Sequence, residues 1–86
     1  MPEICRFFGI VIAMYYNDHD PPHFHARYGS QKARFAIADL RLIEGNLAPR
    51  ARGLVVEWAT VHQDELYREW GLAKDQQALF RIQPLE

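Results

Sequence analysis

The run Arg6–Tyr16 (RFFGIVIAMYY) constrains the fold more than any other segment. It is rich in β-branched and aromatic residues and stops at Asn17-Asp18, so it reads as a strand. Its even positions (Phe8, Ile10, Ile12, Met14, Tyr16) form a bulky apolar face, and its odd positions (Phe7, Gly9, Val11, Ala13, Tyr15) a second, smaller one. A strand with two apolar faces needs cover on both. One helix covers one face. The other cover is either a partner subunit, for which Phe7, Val11 and Tyr15 would be the contact residues, or the two ends of the chain folded over.

The rest of the chain reads as a meander followed by a helix. His23–Tyr28 alternates, with Phe24, Ala26 and Tyr28 on one side and His23, His25 and Arg27 on the other. Gly29-Ser30 is a two-residue hairpin signal with glycine first, as a type II′ turn requires. Lys32–Ile37 continues the alternation, and Leu40–Glu44 gives a further short strand ended by Gly45-Asn46. Asn46 is placed to cap a helix that tolerates Pro49 in its first turn. Leu47, Ala51, Leu54, Val55, Trp58, His62, Leu66 and Trp70 then recur at helical spacing, with Gly71 as the stop. Leu79–Gln83 adds a short edge strand before Pro84. The expected fold class is α+β: a small antiparallel meander of three to five strands against one long helix, in a single domain over 1–86.

Composition narrows the function classes. Ten basic and eleven acidic side chains give a net charge of −1, so no global field steers the protein toward nucleic acid or membrane. Cys5 is the only cysteine, which excludes an internal disulfide and a multi-cysteine metal site. No apolar stretch is long enough for a signal peptide or a membrane span, and the expected location is cytoplasmic.

The chemistry concentrates in Asp18-His19-Asp20-Pro21-Pro22-His23-Phe24-His25. Residues two apart on a strand share a face, so His23 and His25 stand side by side and can bind one metal ion, with Asp18, His19 or Asp20 as a third ligand. Imidazole with carboxylate suits zinc, iron, manganese or nickel better than magnesium or calcium, so the cofactor indicated is a divalent transition metal such as zinc. A second reading needs no metal. His23, His25 and Arg27 as catalytic groups, with Arg27, Lys32 and Arg34 on a phosphate, have the residue types of ribonuclease chemistry or of plain RNA binding. A solvated polar hairpin face has the same pattern and carries no activity. His62, on the apolar stripe, is expected to be a hydrogen-bonded core histidine.

Arg6-Phe7-Phe8-Gly9-Ile10-Val11-Ile12, Met14-Tyr15, Asp18-His19 and Pro21-Pro22-His23-Phe24-His25, followed by Tyr28-Gly29, Gly45, Glu57-Trp58, His62 and Leu66, resemble the bacterial proteins grouped as domain of unknown function 4160. The resemblance covers nearly the whole chain. It brings no catalytic residues. Members are often encoded beside a second small protein, similar to a toxin–antitoxin pair, which implies a protein partner from the same operon, or a homodimer, and a nucleic-acid connection. The leading expectation is therefore a partner-binding component of such a module. The metal-binding protein or hydrolase and the metal-free ribonuclease are the alternatives.

Overall fold

A turn hidden inside the apolar run decides the architecture. In the computed structural model, which describes residues 2–86, the expected single strand is folded back on itself. β1 (Glu3–Phe7) and β2 (Ile10–Ala13) form an antiparallel hairpin through Phe8-Gly9. These two residues have φ of 48° and 80°, the paired positive values of a type I′ turn, whose twist matches the flanking strands. Phe7 pairs with Ile10. Directly opposed residues project to the same face, so the turn carries Phe7 to the core side. It is 5% exposed with its ring 5.5 Å from Trp58, and the expected contact face of Phe7, Val11 and Tyr15 is not one surface.

β3 (His23–Tyr28), β4 (Gln31–Ala36) and β5 (Leu42–Gly45) follow, each antiparallel to its predecessor, and the spatial order is the chain order. Gly29 at φ 62° with Ser30 outside the positive region is the type II′ pattern expected. At Gly45 a side chain has no room, because a Cβ would lie 2.1 Å from the Lys32 carbonyl oxygen.

Two helices replace the single long one: α1 (Pro49–Val61) and α2 (Gln63–Lys74). The start moves from Asn46 to Pro49 because the residue before a proline is held out of helical angles, and Ala48 has φ −53°, ψ 144°. Its N–H is satisfied by Gln31 Oε1 at 2.8 Å. The break falls at His62 (φ −115°, ψ 21°). Thr60 there bonds back to the Val56 carbonyl at 2.7 Å, an arrangement that loosens a helix end. The His62 carbonyl accepts the Leu66 N–H, and Asp64 and Glu65 sit in the first turn of α2, where negative charge is favoured. Gly71 lies within α2, which ends at Asp75. The apolar stripe survives the break: Leu47, Ala51, Val55, Trp58, Leu66 and Trp70 are all buried against the sheet. Among the described residues no helix is long and apolar enough to cross a membrane.

The expected edge strand Leu79–Gln83 shrinks to one sheet-like bond, Ile82 N–H to the Ile4 carbonyl at 2.8 Å. The helices take two more of its polar groups. Glu69 Oε1, on a side chain with no exposure, accepts the Phe80 N–H at 2.6 Å, and the Trp58 indole donates to the Gln83 carbonyl at 2.8 Å. The segment therefore borders β1 instead of covering the outer sheet face. Arg81 and Arg6 both reach Glu3, whose carboxyl is lowered to about 2 by the Arg6 hydrogen bond first and the Arg81 bond second.

Two stability outcomes follow. Phe8→Asn places a residue that tolerates positive φ in the turn and should stabilise the fold by about 0.5–1 kcal/mol in urea unfolding. Glu69→Ala leaves the Phe80 N–H without its acceptor and should cost about 1–3 kcal/mol, with loss of the Ile82 amide's protection from exchange.

Candidate metal centre

The loop between β2 and β3 is fixed at both ends before it reaches the histidines. Tyr16 donates its hydroxyl to the Gln77 carbonyl at 2.9 Å, and Gln76 Nε2 donates to Asn17 Oδ1 at 2.6 Å. On the far side, the Pro22 carbonyl accepts the Ile37 N–H at 3.0 Å. Asn17 takes φ 61°, which turns the chain and brings Asp18 back over the first residues of β3.

There one carboxylate oxygen meets two imidazoles. Asp18 Oδ2 is 2.9 Å from His23 Nε2 and 3.1 Å from His25 Nε2. The ligand atoms of these three residues all lie within 4.8 Å of one another. Of the five candidate ligands, the structure assembles Asp18, His23 and His25 and leaves two out. Asp20 points to Lys74 at 3.7 Å, and the exposed His19 contributes only its backbone N–H, 3.3 Å from Asp18 Oδ1.

His23 is the most constrained member. Its Nδ1 is 2.8 Å from the Pro21 carbonyl oxygen, an atom that only accepts, so Nδ1 carries a proton. The Nε2 lone pair of that tautomer faces Asp18 Oδ2, and two lone pairs at 2.9 Å require a positive particle between them. A second proton or a metal ion meets that requirement. Side-chain exposures are 2% for His23, 21% for Asp18 and 28% for His25, so the cluster is closed behind and open in front. Four rings form the wall: Trp70 to His23 at 5.2 Å, His23 to His25 at 5.2 Å, and His25 to Tyr15 at 4.4 Å.

Burial dominates the electrostatics. It holds the His25 imidazole below its ordinary value, against the opposing Asp18 hydrogen bond, so His25 is neutral at pH 7. Burial raises the Asp18 carboxyl, but the His25 hydrogen bond and the fields of both histidines outweigh it and the net shift is downward.

The phosphate-contact candidates are also brought together. The strand register places Arg6, Val11, Arg27 and Lys32 in one row across the outer face, and Glu3, Ala13, His25, Arg34 and Glu44 in the next. Val11, Arg27 and Lys32 of the first row and Ala13, His25, Arg34 and Glu44 of the second line a groove of about 340 Å³ that has His25 on its wall. The metal-free acid–base arrangement is disfavoured, because His23 is buried with both ring nitrogens engaged and cannot exchange protons with a substrate. His62 is half-buried on the Trp58 ring and bonded to Glu65, away from this site. Trp70 and the Pro21 carbonyl carry no sequence signal as supports, since one reads as core and the other has no side-chain donor or acceptor.

A family described as Domain of unknown function (DUF4160) matches residues 9–71. No curated protein and no solved structure matches the chain. The matched span contains Asp18, His23, His25 and the groove cations, and omits β1 and the terminal segment.

In metal-stripped protein, His25 should titrate below its usual 6.5, and further below in Asp18→Asn, which removes the opposing bond. The depressed value makes the folded state bind fewer protons than the unfolded one. Its stability contribution is therefore complete above about 6.5 and is lost as pH falls from there through the folded value. Imidazole NMR titration beside urea unfolding checks both.

Proposed function

Since the chain belongs to the family described as a domain of unknown function, DUF4160, its activity has to be read from its own side chains, and we propose that it is a divalent-metal-binding protein centred on Asp18, His23 and His25. The observation that carries this reading is the Pro21 carbonyl on His23 Nδ1. Metal-bound histidines characteristically donate their second ring N–H to a carbonyl or carboxylate, which fixes the tautomer and frees the other nitrogen as ligand.

The two imidazole–carboxylate spacings and the donor types agree. Donors held about 2.0–2.2 Å from one ion sit roughly 2.9–3.5 Å apart, and the two N···O separations are 2.9 and 3.1 Å. A set of two imidazoles and one carboxylate favours zinc, iron or manganese and leaves coordination positions vacant. The partial exposure of Asp18 and His25 puts those positions toward solvent and the groove. Held by Asp18, His23 and His25, a divalent ion would supply Lewis acidity. The chain supplies a dry backing in Trp70 and a neutral His25 that needs no deprotonation to bind.

Titration of zinc, then manganese, into labelled protein tests the reading. The expected result is saturation near one equivalent, with His23 and His25 ring signals moving while His19 and His62 stay. Asp18→Asn should weaken binding at least about tenfold, the lower end of what even a ligand's supporting partner is worth. Histidine signals that ignore both metals, in protein shown to be folded, would mean that a proton occupies the gap and that Asp18–His23 is an ion pair.

A further inference from the structure

The sheet face beside the centre carries a charge pattern that the fold does not need. Arg27 and Lys32 are directly opposed on β3 and β4. Like charges directly opposite across an antiparallel pair are destabilising. Neither Arg27 nor Lys32 forms an ion pair with any described residue. Arg34 meets Glu44 at 3.1 Å through Nη2 only, and that carboxylate is 69% exposed. The Arg34 Nε–H is buried without an acceptor. An unsatisfied guanidinium donor among unpaired cations lacks one thing, an anion with several acceptor oxygens.

The same groove has an apolar floor. Val11 is 7% exposed and Ala13 2%, and Tyr15 stands at the end nearest His25. A free inorganic ion would use the cations and leave this floor wet. A ligand with an apolar or ring moiety beside its anionic group uses both.

We propose that this groove binds an organic phosphate, its phosphoryl oxygens on Arg27, Lys32 and Arg34 and its organic part on Val11, Ala13 and Tyr15. Planar arginine donors match phosphate oxygens in paired fashion, and the lysine adds a point charge. Because His25 is shared between the groove wall and the Asp18 cluster, the phosphoryl group is held beside the proposed metal. The assignment of this ligand as a substrate rests on the metal reading above; its binding does not.

The test uses metal-stripped, isotope-labelled full-length chain in excess chelator, with phenyl phosphate, inorganic phosphate, benzoate and benzyl alcohol as probes. Phenyl phosphate should shift the Arg34 Nε–H and the Val11 and Ala13 amides saturably. It should bind about tenfold tighter than inorganic phosphate, through the ring area removed from water. Arg27→Gln with Arg34→Gln should lower its affinity at least about tenfold, the effect of losing charge-assisted bonds, while the remaining amide spectrum stays in place. No saturable shift of Arg34 Nε–H in the wild-type chain overturns the proposal, as does benzoate or benzyl alcohol binding as tightly as phenyl phosphate. With chelator present, these outcomes are independent of the metal titration. Binding without metal uptake leaves the groove and removes the centre, and the reverse leaves the centre with a different substrate.

Discussion

The indole of Trp58 is where the helical layer is keyed to the sheet. Fully buried, it lies 5.5 Å from the Phe7 ring on β1 and 6.1 Å from Phe24 on β3, and it meets the tilted His62 ring at 5.3 Å where the helices part. Its N–H, which burial would otherwise leave unsatisfied, goes to the Gln83 carbonyl. One side chain thus fixes the tilt of α1, the point at which α2 departs and the course of the terminal segment. The position of Trp70 behind His23 depends on that departure. A single unbroken helix would continue along the axis of α1, whereas α2 sets out anew from His62 and places Trp70 on the imidazole.

The functional face depends on this packing without sharing in it. The outer face of the sheet carries Arg27, Lys32 and Arg34 beside the apolar Val11 and Ala13, and strand register determines which of them are neighbours. His25 is the junction. It faces Asp18 on one side, the Tyr15 ring on another and the groove on a third. Partial burial keeps it neutral at pH 7.

How much of this was legible in the residues follows from the physics of each element. The alternation in His23–Tyr28 and the Gly29-Ser30 turn are local signals, and both appear as read. The Asp18, His23 and His25 cluster was legible as a candidate set because spacing on a strand fixes which side chains are neighbours. Which of Asp18, His19 and Asp20 joins it was not, since that depends on a turn at Asn17 anchored by Gln76, far along the chain. The hairpin inside the first apolar run is hidden for a definite reason. Phe8-Gly9 lacks the Asn-Gly or Asp-Gly chemistry of a type I′ turn, and an exposed phenylalanine at positive φ resembles strand interior. The helix break was similarly hidden, because the apolar stripe runs through His62 uninterrupted. In the terminal segment, Glu69 gave no warning that it would take the Phe80 N–H that a strand would have used.

The strand order has a bearing on how the molecule is assembled. Every strand pairs with its neighbour in the chain, so each ladder closes over a short loop and the entropy of bringing partners together stays small. The bond from Ile82 to Ile4 is the exception, since it joins nearly opposite ends of the polypeptide. The sheet can therefore zip up progressively as a series of local events, while the chain is circularised by that clasp and the neighbouring Arg81–Glu3 pair. Backbone amide exchange at Ile82 therefore reports the completeness of the whole structure, because that amide is held only when β1 and the segment after α2 are both in place.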